Sequence, residues 1–184
     1  QRWLTLTRSP AHYGFHATLK APFELQEDYT VQSLAEHLQQ FACHQSRIEL
    51  HGLAPRQMAG FSALTLDGQT AQLHSLAMQI VTEFEPYRRA LTEADIERRM
   101  AQALSTRQLE LLRCYGYPYV DDEFRFHMTL SGPIGEQDTD YLDWLQGLYR
   151  EIVTDPPLLD QIAIFTQTDR QAAFVRQFTC PIPA

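Results

Sequence analysis

Apolar positions along this chain recur with two periods, two residues and about 3.6, and the switching between them sets the expected elements. Tyr13 to Leu19 reads as a strand ending near Pro22, and Gln26 to Asp28 lead into a turn. Thr30 can cap a helix whose apolar face is Val31, Leu34, Ala35, Leu38 and Phe41. Ile48 to Leu53 and Phe61 to Leu66 read as two strands, with Pro55 and Gly60 between them and an Asp67-Gly68 turn after them. Thr70 opens a second amphipathic helix carrying Leu73, Leu76, Ala77, Ile80, Val81 and Phe84.

The stretch from Glu85 to Pro118 predicts two further helices, capped by Thr92 and by Ser105, the latter supported by Gln108 three residues on. Glu93, Asp95, Glu97, Arg98 and Arg99 form a solvated charged face, and the aromatic run Tyr115 to Tyr119 is expected to pack on the core, the alternative being a substrate-stacking wall. Phe124 to Leu130 reads as a strand and Asp140 to Val153 as a helix stopped by Pro156-Pro157. Leu159 to Phe165 and Ala172 to Phe178 close the chain as a hairpin.

The order strand, helix, strand, strand therefore occurs twice, separated by helices, and implies an internal two-fold repeat. The fold class expected is α+β: a two-lobed pseudo-two-fold repeat with mixed or antiparallel sheets around a central cleft. Lobe one covers about 1–68, a helical connection 69–118 and lobe two 119–184. The second unit is preceded by helical sequence while the first begins almost at Gln1, so an N-terminal strand and helix are expected to be missing.

Charge narrows the partners. The net charge is −8 over 184 residues, so a long polyanion is repelled and nucleic acid is an unfavoured partner. A small phosphorylated substrate is the expected one. Fourteen of the fifteen basic residues are arginine and Lys20 is the single lysine. No apolar run approaches the roughly 20 residues of a membrane helix, and no leader segment is evident, which makes the cytoplasm the expected location. Cys43, Cys114 and Cys180 are widely spaced and fit no metal or redox motif.

The chemistry lies in one motif written twice. Phe-His-x-Thr-Leu-x-x-Pro runs from Phe15 to Pro22 and again from Phe126 to Pro133. Strand alternation puts Gly14, His16, Thr18 and Lys20 on one face of the first copy, with Phe15, Ala17 and Leu19 on the other. In the second copy Arg125, His127, Thr129 and Ser131 oppose Phe124, Phe126, Met128 and Leu130. Each strand thus aligns a histidine, a hydroxyl and a cation over an apolar face that fixes the register.

Phosphoester chemistry uses such a set. Histidine can act as base or acid near neutral pH. A threonine two residues on, roughly 6–7 Å along the strand, can donate to a non-bridging oxygen. His16, His127, Thr18 and Thr129 are the expected catalytic residues, with Lys20, Arg125, Tyr13 and Ser131 as substrate contacts. Neither metal nor cofactor is required. Two histidines fall short of the three protein ligands usual for catalytic zinc, and no G-x-S-x-G elbow, P-loop or dinucleotide fingerprint occurs. His12, His37, His44, His51 and His74 are assigned to loops and helix surfaces.

At these residues the chain resembles the 2H phosphoesterase superfamily, named for its paired H-x-T/S motifs. The stretches Tyr13 to Phe23, Tyr115 to Val120 and Phe124 to Leu130 are most similar to the branch called domain of unknown function 1045. That branch is often encoded beside carbon–phosphorus lyase genes. The resemblance implies a bilobal α+β fold, with His16 and His127 as acid and base and Thr18 and Thr129 as phosphate binders. It implies an additional N-terminal segment that this chain lacks. It further implies a metal-independent hydrolase of a small cyclic phosphodiester, such as a ribose cyclic phosphate of phosphonate metabolism. The alternatives are an RNA end-processing cyclic phosphodiesterase or ligase-like enzyme, and a non-catalytic phosphate-ligand sensor.

Overall fold

In a computed structural model, residues 2–68, 70–101, 103–135, 138–169 and 171–184 are described; Gln1, where the repeat is expected to begin, lies outside them. The architecture is α+β and the strand pairs between named strands are all antiparallel. The chain divides into two compact units. One comprises Gln1–Thr18, Leu38–Gly68 and Phe126–Ala184, the other Leu19–His37 and Gln69–Arg125. Both histidine motifs begin in the first unit, so the units cut the chain differently from the expected lobes.

The first unit opens with a helix, α1 (Arg2–Tyr13), where no element was expected. It ends at Gly14, whose φ of +77° is open to glycine at no steric cost. A three-stranded sheet follows, β2 (Ala54–Met58), β3 (Phe61–Thr65) and β4 (His127–Pro133), in that order. Met58 opposes Phe61, so the β2–β3 hairpin turns on Ala59 and Gly60 alone, with φ of +46° and +83°. Two positive φ values suit the right-handed twist of the strands. β2 contains Pro55, which reads as a breaker. It is tolerated because β2 is an edge strand, where a missing N–H need not weaken the ladder.

The expected strand Ile48 to Leu53 is only β1 (Ile48–Glu49), paired with β5 (Leu158–Leu159). The closing hairpin is β6 (Gln161–Thr166) and β7 (Val175–Pro181), each later than the sequence suggests. Helix α6 (Thr139–Ile152) packs on β2, and Gln146 Nε2 donates to Pro55 O at 3.2 Å. The pleat puts Pro55, Ser62 and Leu64 on one face, and all three are buried.

The second unit is mostly helical. Helix α2 (Val31–Ala42) starts in it and ends in the first. Helix α3 (Ala71–Glu83) is capped as the sequence indicates, with Thr70 accepting from Leu73 N. Buried Val81, Leu111 and Val120 form a cluster, on which Met78, Tyr115 and Tyr117 pack. That is the packing role expected for two of the tyrosines. Helix α5 (Thr106–Tyr115) carries the Ser105–Gln108 capping box and ends at Gly116, φ +71°. Among the described residues no helix is long and apolar enough to cross a membrane.

Helix α4 (Glu93–Met100) begins with a capping box between Thr92 and Asp95. Hydrogen bonds from the Thr92 hydroxyl and backbone N–H, then from Arg98, hold the Asp95 carboxyl well below the usual carboxylate range. A depressed folded-state value contributes stability above the ordinary carboxylate range, lost as pH falls through it. Asp95→Ala is therefore expected to lower the urea midpoint at pH 6 and to make a smaller difference at pH 2.5. An equal difference at both would show that the carboxylate charge is not what the cap uses.

Candidate active site

β4 is the centre of the site. Its residue Met128 pairs with Leu64 of β3 on one side, and with Ala17 on the other through an isolated antiparallel bridge. Ala17 is thus a one-residue fourth strand. The expected strand from Tyr13 to Leu19 is otherwise a helix end and coil.

The single bridge fixes the geometry of both motifs. Antiparallel pairing of residues 17 and 128 sets His16 opposite Thr129 and Thr18 opposite His127. All four side chains leave on the face opposite to Ala17 and Met128. Directly opposed residues on one face lie about 4.5–5.5 Å apart at Cβ. Each histidine therefore faces the other motif's threonine, and the local two-fold axis passes through the bridge.

The four line one cavity of about 630 Å³, within the range of small-molecule sites. Its walls come from three neighbouring places. Pro10 and Tyr13 stand at the end of α1, which packs on β4. Ala59, Gly60 and Phe61 form the hairpin tip, held to the end of β4 by Ile134 N–H donating to Gly60 O at 2.7 Å. Gly132, Pro133 and Ile134 complete the rim. The tip and rim are contributions that sequence reading does not supply. The available signal was Ala59-Gly60, weaker than Asn-Gly as a hairpin turn.

The two histidines sit differently. The His16 ring stacks on Phe165 with centroids 4.7 Å apart and planes at 28°. Its Nε2 lies 3.3 Å from Thr18 Oγ1, while its Nδ1 is buried without a hydrogen-bond partner among the described residues. His127 lies 6.2 Å from the Phe61 ring at an interplanar angle of 57°. Tyr13, expected to touch substrate, lines the cavity and stacks on Phe174 at 5.8 Å.

Two other expected contacts are engaged elsewhere. Lys20 and Arg125 belong to the second unit and are not among the cavity's lining residues. The Lys20 ammonium donates to Val81 O at 3.0 Å and to Glu85 Oε2 at 2.8 Å, with its side chain only 9% exposed. Burial pushes its pKa below the ordinary lysine value, against the opposing bond to Glu85. Arg125 Nη1 donates to Asp122 O at 2.7 Å and to Phe124 O at 2.8 Å. The parity that put both on the polar face applies only to paired strand residues, and neither lies in a strand.

Ser131 lines the cavity but sits in a bulge. The β3–β4 register shifts between Ala63 opposite Thr129 and Phe61 opposite Pro133, two positions along β3 against four along β4. Its hydroxyl is paired within the sheet. It accepts from Ser62 N at 3.0 Å and from Ser62 Oγ at 2.8 Å, and donates to Gly132 O at 2.8 Å.

Residues 18–175 match the family described as Protein of unknown function (DUF1045). The chain is 38% identical over 138 residues to the Ribose 1,5-bisphosphate phosphokinase PhnN of Janthinobacterium sp. (strain Marseille), covering 75% of this chain and 30% of that one. It is 31% identical over 172 residues to the protein of the same name from Laribacter hongkongensis (strain HLHK9), covering 89% and 38%. The chain thus spans about a third of the length of these relatives. No solved structure matches it.

These names correct the expected reaction. A phosphokinase is a phosphoryl transferase, so the reading as a hydrolytic phosphoesterase is overturned, and neither RNA end-processing nor a non-catalytic sensor takes its place.

The serine pair yields a direct test. Ser131→Ala leaves the buried Ser62 N–H without its acceptor, and is expected to cost about 1–3 kcal/mol in urea unfolding. A loss under about 0.5 kcal/mol would mean that the bulge is held by other contacts.

Proposed function

The chain belongs to the family described as Protein of unknown function (DUF1045), and on that footing we propose that it serves phosphoryl transfer on a ribose bisphosphate. Its part is to hold a phosphate group of the sugar between the pair His16 and Thr18 and the pair His127 and Thr129. The observation that carries this reading is the register at Ala17 and Met128, which turns both polar faces into one cavity. The relatives' name supplies the substrate class.

A tetrahedral phosphate presents oxygens in several directions, and the site offers donors from two sides. Both threonine hydroxyls can donate to non-bridging oxygens, and an imidazole can donate from a ring nitrogen with or without carrying charge. The cavity's described lining includes no lysine or arginine, so in this reading imidazole and hydroxyl groups do the recognising. The sequence G-x-x-x-x-G-K-S/T does not occur in the chain. We therefore assign the phosphoryl donor to the part of the relatives beyond the matched third. Kinship with the 2H superfamily enters as a likeness of paired motifs, without its hydrolytic chemistry. A setting in phosphonate metabolism, implied by the sequence resemblance, belongs to the same proposal.

Calorimetric titration tests it. Ribose 1,5-bisphosphate is expected to bind more tightly than ribose 5-phosphate, and that more tightly than ribose. Thr18→Val combined with Thr129→Val is expected to weaken bisphosphate binding roughly 10–100-fold at unchanged circular dichroism. A bisphosphate that binds no better than ribose, or a double variant that binds like the wild type, would overturn the reading.

A further inference from the structure

We infer that the neutral His16 imidazole carries its proton on Nε2, and that it is a positioning residue directing the Thr18 hydroxyl into the cavity as a donor. The two motif histidines, identical in their surrounding letters, then do different work.

The argument starts from the buried nitrogen. His16 Nδ1 is sealed from solvent and meets no hydrogen-bond partner among the described residues. The neutral ring has two tautomers. The Nδ1–H tautomer would place an N–H at that sealed atom. A buried donor left unpaired carries its whole desolvation penalty, and orphaned buried N–H groups are rarer than under-satisfied acceptors. Only the Nε2–H tautomer leaves a lone pair at the sealed position. The Phe165 ring stacked at 4.7 Å fixes the imidazole plane and supplies no acceptor for Nδ1 in that plane.

The proton on Nε2 has a partner at hand. Thr18 Oγ1 is 3.3 Å away, and with His16 donating, that oxygen becomes the acceptor. The threonine's own O–H must then point away from the imidazole. Thr18 is exposed and lines the cavity, so the hydroxyl hydrogen is available to an oxygen bound there. His127 has no such sealed nitrogen among the described atoms, and it faces Thr18 across the bridge.

The tautomer stands on the free protein's geometry; the use made of Thr18 rests on the reading of the cavity as a phosphate site. Two measurements separate them. A long-range proton–nitrogen correlation spectrum of the nitrogen-15-labelled chain near pH 7 is expected to show His16 with an unprotonated Nδ1 and a protonated Nε2. A protonated Nδ1 overturns the inference. Titration with ribose 1,5-bisphosphate then compares two amides. His16→Gln places an N–H near the Nε2 position and is expected to bind within about threefold of wild type; His16→Asn reaches only the Nδ1 position and should bind about tenfold more weakly. Equal losses in the two variants also overturn it. A wild-type chain that binds no ribose phosphate overturns the functional reading instead, and the spectrum alone then decides the tautomer.

Discussion

The candidate site depends on one backbone pairing, the bridge between Ala17 and Met128. Met128 is already fixed by β3 through Leu64, so whatever pairs with its other edge inherits the register of the sheet. A slip of one residue would turn His16 and Thr18 to the opposite face and bring Phe15 or Leu19 into the cavity. One bridged residue is a small contact for such a demand. It is supported from both ends of the segment: α1 packs on β4, Tyr13 stacks on Phe174, and His16 stacks on Phe165. The aromatic contacts align the segment with residues in and just before the strands of the closing hairpin, while the sheet supplies the alternation.

What the letters reveal follows from how local each feature is. The caps at Thr70, Thr92 and Ser105 are legible because a cap is a bond between residues three apart. The four motif residues are legible because alternation held over the few positions around the bridge. Helix α1 is obscured by its internal Pro10 and by the lack of an acidic first turn. β2 is obscured by Pro55, which is harmless only because that strand lies at an edge, and edge position is decided by tertiary pairing.

The same limit explains the misplaced charges. Alternation was extended from Thr18 to Lys20 and from His127 back to Arg125, across positions that no strand contains. Once the chain leaves the ladder, the nearest acceptor decides where a cation goes. For Lys20 that is Glu85 with the Val81 carbonyl; for Arg125 it is the carbonyls of Asp122 and Phe124. Ser131 shows the inverse case. It lies in a strand, but the bulge on β4 makes its hydroxyl a substitute for a ladder acceptor. Parity is a property of paired backbone, not of spacing.

A repeat in sequence is therefore not yet a repeat in structure. The two His-x-Thr copies are related by a local two-fold at the bridge, yet one sits in coil after a helix and the other in strand β4 of a bulged sheet. Symmetry holds for the backbone positions that face the cavity and fails for what stands behind them. His16 has an aromatic ring against its face and a sealed nitrogen; His127 has the hairpin tip beside it. Which ring nitrogen carries the proton is governed by that surrounding shell, through the hydrogen bonds each nitrogen can make. Equal letters can thus give two unlike imidazoles on one cavity, and a ligand approached from both sides meets an ordered donor on one of them.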